Sequence, residues 1–139
     1  MLDNTLILNA QQLENMQKIF KKMPQVLAVY LYGSRAGGYA SKKSDLDIAV
    51  VIDEIESIHY DEFYLEVSNH IKDFELDLRL ATLKSDPTYL FEVIRGKYLY
   101  QRTDSDRINF ETRVLKNFYD GKHIRDIYFH YLRQSFGVN

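Results

Sequence analysis

Two acidic residues are the first feature of this 139-residue chain whose type and spacing could support chemistry. Asp45 and Asp47 are separated by a single residue, at the end of a stretch that starts at Tyr32 and reads YGSRAGGYASKKSDLD. Side chains two positions apart on a strand project from the same face of the sheet, so these two carboxylates can share one site. Carboxylate oxygens are the ligands that Mg²⁺ prefers in proteins, and they make this pair a candidate metal site.

A glycine–serine turn precedes the acidic pair, with ten residues between Ser34 and Asp45. A strand that ends at Gly33 and enters a turn exposes backbone N–H groups that can bind phosphate, and glycine lets the ligand approach closely. Lys42 and Lys43 could add phosphate contacts or be ordinary solvated loop charges. We assign nucleotide binding to four residues of this stretch: Gly33, Ser34, Arg35 and Ser44.

A third acidic residue, Asp77, lies in a segment that alternates leucines with polar residues from 75 to 82. This period-2 pattern is typical of a strand with one apolar face, so Asp77 should point away from the leucines. If its strand neighbours the one that carries Asp47, three carboxylates converge, and divalent cations are needed to offset their repulsion. Each acid taken alone could instead be a turn, cap or exposed strand residue. The set favours metal binding.

The chemistry that such a site could perform is phosphoryl or nucleotidyl transfer. Two Mg²⁺ ions about 3.5–4 Å apart stabilise the attacking and leaving oxygens of an in-line displacement. This chemistry depends chiefly on positioning and charge neutralisation, so a small domain is sufficient. We therefore assign the same three residues as catalytic and as metal ligands: Asp45, Asp47 and Asp77.

Hydrophobic periodicity predicts the elements that position these residues. Two nearly continuous apolar runs, Val26–Tyr32 and Leu46–Ile52, predict buried strands on either side of the glycine-containing loop. A capping box at Asn9 and Gln12 predicts the start of a helix before the first strand, and an amphipathic helix is predicted over 58–71. The remaining predicted elements are a strand over 75–82, a helix over 87–94, a short edge strand over 98–101 and a helical tail from about 104 to 139.

Together these elements predict an α/β (α+β) fold, with a mixed β-sheet of about four strands and helices mainly on one side. Apolar residues make up 45% of the chain and charged residues 27%, which is ordinary globular usage. The sequence shows no internal repeat, long linker or low-complexity segment. We therefore expect a single domain over 1–139.

Composition and charge exclude several classes of site and partner. The chain has no cysteine, so any metal must bind through carboxylates, imidazoles or water. Its formal net charge of -2 gives no electrostatic reason to expect direct nucleic-acid binding. No window approaches the roughly 20 apolar residues of a membrane span, and the first residues do not form a signal peptide. We expect a cytoplasmic protein without a membrane partner.

The motifs described above resemble the signature of the nucleotidyltransferase superfamily of the DNA polymerase beta type. They are Gly33-Ser34, the Asp45-Leu46-Asp47 triplet after ten intervening residues, and the later Asp77 on a strand. The chain length and the detail GSRAGG and SDLDIAV are most similar to minimal nucleotidyltransferases, including the MntA-type antitoxins that are paired with HepT-type toxins. The resemblance covers roughly residues 26–102, and the tail is similar only in being helical.

The resemblance implies an enzyme that uses ATP, with Mg²⁺ bound by Asp45 and Asp47 and with Asp77 as a further metal ligand or as the base for the acceptor hydroxyl. It also implies transfer of AMP to a tyrosine of a HepT-like HEPN toxin, so that the chain acts as the antitoxin of a toxin–antitoxin pair. Two alternatives remain open. One is nucleotidyl transfer to a small molecule such as an aminoglycoside, and the other is a non-catalytic binding module that neutralises its partner by occlusion.

One position departs from the family pattern. Relatives often carry a second arginine where this chain has Gly37. A triphosphate contact from that position must therefore come from Arg35, Lys42 or Lys43, which leaves nucleotide affinity and base preference open.

The tail carries more aromatic residues than one small helix is expected to bury. They either form an interface with a partner or complete the core of the domain, and the sequence leaves both interpretations open. These residues are Phe118, Tyr119, Tyr128, Phe129, Tyr131 and Phe136.

Overall fold

The computed structural model describes residues 8–33, 46–72 and 75–135. These residues form a mixed α/β fold, as the periodicity predicted. In chain order the elements are α1 (Ala10–Lys21), β1 (Val26–Tyr32), β2 (Leu46–Ile52), a 3₁₀ turn (Ile55–Ser57), α2 (Tyr60–Ser68), β3 (Leu76–Ala81), α3 (Pro87–Ile94), β4 (Lys97–Gln101) and α4 (Asp104–Ser135).

Helix α1 begins at the predicted capping box. The side chain of Asn9 accepts a hydrogen bond from the backbone N–H of Gln12 at 2.8 Å, and the Gln12 side chain accepts one from the N–H of Asn9 at 3.1 Å. Two N–H groups that a helix start leaves unpaired are thus satisfied. Three residues of α1 are buried against the sheet: Met16, Ile19 and Phe20.

The strands form one mixed sheet in the order β3-β2-β1-β4. Strand β1 is antiparallel to both of its neighbours, whereas β2 and β3 are parallel. The two central strands, β1 and β2, are buried along almost their whole length, as their continuous apolar runs predicted. The expected mixed sheet of about four strands is confirmed.

The expectation that helices lie mainly on one side of the sheet is wrong. Alternate residues of β1 enter different clusters: Val29 and Leu31 pack with α1 and α2, whereas Ala28, Tyr30 and Tyr32 pack with α3 and α4. The physical reason is that both faces of the central strands are apolar, so both must be covered. We call the side that carries Tyr30 and Tyr32 the α3/α4 face.

The outer edge of β3 is covered by tyrosines of α2. Tyr60 donates a hydrogen bond to the backbone carbonyl of Leu78, and Tyr64 donates one to that of Leu76 at 3.1 Å. These bonds satisfy carbonyls that an edge strand would otherwise leave exposed, and they fix the strand in place. Helix α2 is shorter than the predicted 58–71, because the backbone just before it is extended.

Helix α3 has the predicted bounds. Pro87 occupies its first turn, and the side chain of Asp86 accepts a hydrogen bond from the backbone N–H of Tyr89 at 3.0 Å. Gly96 follows the helix and lies against β1, where a Cβ atom would clash with the carbonyl oxygen of Leu31. The absence of a side chain at Gly96 therefore allows α3 and the end of β1 to pack closely.

Helix α4 is 32 residues long, and the predicted helical tail is confirmed as far as Ser135. Phe110 and Val114 are buried against the α3/α4 face. Further along, the ring of Phe118 stacks on that of Phe91 in α3, with centroids 4.0 Å apart and planes 8° from parallel. Residues 136–139 lie outside the described residues.

Candidate active site

Three adjacent strands bring Tyr32, Asp47 and Asp77 side by side. Asp47 is the register partner of Tyr32 across the antiparallel pair and of Asp77 across the parallel pair. Neighbouring strands lie about 4.8 Å apart, so both carboxylates belong to one small region of the α3/α4 face. The expectation that the strand of Asp77 neighbours that of Asp47 is confirmed. Asp45 lies outside the described residues, so its place beside this pair stays a prediction.

Gly33 lies directly beside the carboxylate of Asp47. Its φ angle is 77°, a backbone conformation that favours glycine, and a Cβ atom built on it would lie 2.6 Å from Oδ2 of Asp47. Any side chain at this position would therefore occupy space directly beside the carboxylate. The predicted close approach of a ligand at Gly33 stays a prediction. The other residues assigned to nucleotide binding, Ser34, Arg35 and Ser44, lie outside the described residues, as do Lys42 and Lys43.

Arg79 is a member of this site that the sequence interpretation missed. Its Nη2 lies 3.3 Å from Oδ2 of Asp77 and its Nε 3.4 Å from Oδ1, which makes a two-pronged ion pair. The hydrogen bonds to Asp77 raise the pKa of Arg79 above its ordinary value. The Arg79 side chain is exposed and that of Asp77 is half-buried, so solvent screens the pair and it contributes only about 0–1 kcal/mol to stability. The signal was available, because residues two apart on a strand share a face.

Two tyrosines form the apolar side of the site. The ring of Tyr89 in α3 meets that of Tyr32 edge-on at 5.7 Å, and their hydroxyl oxygens lie 3.4 Å apart. The guanidinium of Arg79 lies 5.9 Å from the centre of the Tyr89 ring. Burial is the main cause that raises the pKa of both tyrosines, so both hydroxyls are neutral near pH 7.

The donor set of the site suits a hard divalent cation. Asp47 and Asp77 supply adjacent carboxylates, because they are register partners on parallel strands. Within residues 8–33, 46–72 and 75–135, no group of three or more histidine, cysteine or acidic side chains is arranged to hold a metal ion. The predicted third carboxylate, that of Asp45, lies beyond those residues. The described pair therefore fits part of a metal site that the sequence predicts to be completed by Asp45.

The arrangement combines opposite charges at the strand ends. Two carboxylates can hold cations, and an exposed guanidinium can contact a phosphate in two-pronged fashion. The rings of Tyr32 and Tyr89 lie beside these charges.

In the part of the chain that the structure describes, no helix has the apolar length needed to cross a bilayer.

A comparison with family models gives one domain match. The model of the family described as polymerase beta, nucleotidyltransferase matches residues 14–105, which include β1 to β4 and therefore the whole described site. A search of curated proteins gives no match.

Solved structures with the same fold come from toxin–antitoxin complexes. A chain from a toxin–antitoxin with AMP-PNP has a TM-score of 0.61 at 23% identity, covering 89% of this chain and 94% of that one. A chain from a complex of tri-AMPylated HEPN toxin with MNT antitoxin of Shewanella oneidensis has a TM-score of 0.62 at 17% identity, with coverages of 88% and 96%. A chain from the toxin–antitoxin MntA-HepT has a TM-score of 0.58 at 20% identity, with coverages of 92% and 95%.

Proposed function

The chain belongs to the polymerase beta nucleotidyltransferase family, and from that premise we propose that it transfers AMP from ATP to a tyrosine hydroxyl of a partner toxin, as the antitoxin of a toxin–antitoxin pair. The observation that carries the proposal is the register of Asp47 and Asp77 on adjacent strands, with Gly33 packed closely beside Asp47. This geometry supports a site in which the two carboxylates act together. We place the reaction in the cytoplasm, where ATP and Mg²⁺ are available.

In the proposed reaction, the acceptor hydroxyl oxygen bonds to the α-phosphorus of ATP. The bond from that phosphorus to the bridging oxygen of the pyrophosphate breaks, and pyrophosphate leaves with its electron pair. The hydroxyl proton passes to a base, and Asp77 is either that base or a further metal ligand. Asp45 and Asp47 would hold Mg²⁺, which supplies charge neutralisation at the phosphates when bound.

The triphosphate needs cationic and N–H donors. We assign these to Gly33, Ser34 and Arg35, where the sequence predicts a turn after β1, with Ser44 as a further hydroxyl donor. Arg79 stands within the same site and can exchange Asp77 for a phosphate oxygen, because both are anionic partners for its guanidinium.

A protein acceptor is supported by the kinds of complex in which this fold occurs. One such structure contains a HEPN toxin that is itself tri-AMPylated, and another contains the ATP analogue AMP-PNP. We infer that the partner of this chain is a HepT-like HEPN protein and that this chain uses ATP as its nucleotide substrate. Direct nucleic-acid binding is not part of the proposal, because the net charge of -2 opposes it.

Purified chain, Mg²⁺, ATP and a HEPN toxin produced from the same gene pair test this proposal. Intact-mass analysis should show AMP added to the toxin, and peptide sequencing should place it on a tyrosine. The Asp45→Asn, Asp47→Asn variant should fold normally but lose both the transfer and metal-dependent ATP binding by calorimetry. Undiminished metal-dependent binding in that variant would contradict the site.

The same reactions separate the two alternatives. Labelling of an aminoglycoside but not of the toxin would favour a small-molecule acceptor. Protection of cells from the toxin by the double asparagine variant at wild-type level would favour neutralisation by occlusion.

A further inference from the structure

The C-terminal half of α4 continues beyond the domain. The helix has 32 residues and is about 48 Å long, whereas the strands have at most seven residues and span about 23 Å. Phe118 and Tyr119 contact the ring of Phe91 in α3. We call the segment after this contact, residues 122–135, the α4 extension.

The α4 extension exposes a cluster of large apolar side chains. They occupy positions 127 to 131, and each is exposed by nearly half or more: Ile127 45%, Tyr128 60%, Phe129 51% and Tyr131 65%. Monomer surfaces rarely leave contiguous apolar patches uncovered, and such patches mark interaction sites. Aromatic residues are also enriched in the buried centres of protein interfaces. This cluster therefore has the composition of a docking surface.

The helical form of the extension also points to a partner. The extension continues a helix that is already packed on the domain and needs no nucleus of its own, but each added residue is only weakly favourable in water, even when it favours helix. This segment is rich in aromatic and β-branched residues, which favour helix weakly. One ion pair supports it locally, between Lys122 and Asp126 at 3.0 Å, and both side chains are more than half exposed. Contact with a second molecule would supply the stabilisation that the sequence lacks.

Charge indicates what kind of molecule docks there. From residue 113 to the end, the chain has five basic residues and two acidic ones. The preceding 112 residues have thirteen basic and eighteen acidic ones. The end of the chain is therefore basic, although the whole chain carries -2. Rim charges steer a partner of opposite sign toward such a surface. The surface that complements this basic segment is an acidic one on the partner.

A second copy of this chain offers the right charge but not the right shape. The exposed large apolar residues of its body outside α4 are scattered: Ile55 on the 3₁₀ turn, Tyr60 and Leu65 five positions apart on α2, and Tyr98 on β4. Ile108, Leu115 and Tyr119 are exposed on α4 itself, and pairing two α4 helices would bring together two C-terminal segments that both carry an excess of basic residues. A cavity of about 590 Å³ beside α2 is lined mostly by polar residues, and one of about 210 Å³ beside α4 contains two aspartates and two arginines. Among the described residues, neither cavity is an apolar groove for a helix.

Nucleic acid is also disfavoured. Lys122 is already paired with Asp126, and Asp120 and Asp126 would both repel phosphates.

We propose that the α4 extension is a docking helix that lies in an acidic-rimmed apolar groove of the acceptor protein. This inference rests on the proposed function, because it names the surface by which the acceptor is held. Through Phe110 and Val114, α4 packs on the same face of the sheet that carries Asp47 and Asp77. A protein bound to the extension is thus held on the side of the domain where transfer takes place.

Photo-crosslinking in the native cells tests which molecule occupies the extension. The full chain would carry p-benzoylphenylalanine in place of Tyr131, and in a matched control in place of Leu115, an exposed residue of α4 before the extension. The expected result is a crosslink from position 131, and not from position 115, to a protein that also carries AMP. Adding Arg133→Glu should lower that yield severalfold. Crosslinks to a second copy, to RNA, or equally from both positions would overturn the proposal.

Kinetics with the captured, purified protein separate docking from catalysis. In the Ile127→Ala, Tyr131→Ala variant, KM for that protein should rise about tenfold or more, because interface anchors dominate binding. The kcat value, KM for ATP and the unfolding midpoint should stay unchanged, since both side chains are exposed. The matched variant Ile108→Ala, Leu115→Ala removes two exposed apolar side chains outside the extension and should leave every constant unchanged.

The outcomes distinguish the two proposals. AMP transfer with an unchanged KM in the extension variant would overturn the docking surface alone. A protein that binds through the extension but receives no AMP would contradict the proposed function and leave the docking surface standing.

Discussion

Gly33 and the carboxylate of Asp47 are packed so closely that a methyl group cannot be placed between them. A Cβ atom on Gly33 would lie 2.6 Å from Oδ2 of Asp47, and the backbone there has a φ of 77°. Gly33→Ala should therefore cost about 1–2 kcal/mol in the free energy of unfolding and displace the carboxylate. We expect metal-dependent ATP affinity to fall more than this loss of stability would explain. Calorimetric titration and chemical denaturation on the same preparation measure the two effects.

The matched control is Gly121→Ala, which makes the same chemical change inside α4. Alanine favours helix over glycine by about 1 kcal/mol, so stability should rise slightly there and ATP binding should not change. Equal ATP affinity in both variants would show that the position of the Asp47 carboxylate beside Gly33 does not affect ATP binding.

Asp77→Asn is expected to lower turnover far more than ATP affinity. Asp77 is the register partner of Asp47, and as base or metal ligand it acts on the acceptor hydroxyl rather than on the triphosphate. A loss of about 100-fold or more in the single-turnover rate is expected for a lost general base. Transfer at the wild-type rate would leave Asp77 as an ordinary partner of Arg79.

Arg79→Gln should shift metal and nucleotide affinity in opposite directions. The guanidinium of Arg79 contacts both carboxylate oxygens of Asp77, so it competes with any cation for that group. Without nucleotide, Mn²⁺ should therefore bind the variant more tightly, whereas ATP should bind it more weakly because a phosphate contact is lost. Electron paramagnetic resonance of free Mn²⁺ and calorimetry of ATP report the two affinities. A parallel loss of both would mean that Arg79 only supports the local structure.

Tyr30 makes the free energy of unfolding depend on pH in the alkaline range. It is buried, its hydroxyl donates a hydrogen bond to Glu111 at 2.6 Å, and burial followed by this contact raises its pKa well above 10.0. The folded protein keeps a proton that the unfolded chain releases, so this stabilisation is complete below about pH 10 and is lost as the pH rises above it. Denaturation at pH 8 to 11 should show a falling free energy of unfolding.

Tyr30→Phe should make that fall shallower. It should not abolish it, because burial also raises the pKa of Tyr32 and Tyr89. At pH 8 the variant should lose about 1–3 kcal/mol, since a hydrogen bond to a charged group is removed. Tyr128→Phe is the control, because that side chain is exposed in the folded state. An unchanged slope in Tyr30→Phe would assign the pH dependence to other groups.

The fold was predictable where local patterns act alone. The runs VLAVYLY and LDIAVVI gave β1 and β2 their observed bounds, and Pro87 with Gly96 bracketed α3, because apolar periodicity and backbone stereochemistry are local properties. The same two runs could also have predicted helices on both faces of the sheet, because strands that are apolar on both faces must be covered by other elements on both sides.

The site was predictable only in part. Once β2 and β3 are known to be adjacent, the alternation of side chains predicts that Asp47 and Asp77 share a face. Which strands are adjacent in the sheet is a tertiary property, and local sequence patterns do not encode it. Tyr89 reaches the site because α3 folds back over the sheet, and no local pattern encodes that approach. Arg79 shares the face of Asp77 by simple alternation, so spacing alone could have found this residue although the sequence interpretation missed it.

Deletion of residues 122–139 separates the two interpretations of the aromatic tail. Phe110, Val114 and Phe118 make the contacts of α4 with the domain and are retained, whereas the apolar side chains of the extension are exposed. The deletion should therefore leave the unfolding midpoint and ATP affinity unchanged and weaken binding to the acceptor protein by several kcal/mol, with about 2 or more for each true anchor. Val114→Ala is the contrasting variant.

Val114 is fully buried, so its truncation should cost about 1–3 kcal/mol in the free energy of unfolding, through lost burial and a residual cavity, without a direct effect on the acceptor. Total stability is about 5–15 kcal/mol, so removing a helix segment that completed the core would also be visible as an early melt. Thermal unfolding, ATP titration and acceptor affinity on both variants distinguish the cases. A lower unfolding midpoint of the truncated chain would show that the tail completes the core. Unchanged acceptor affinity would show that the tail is not an interface.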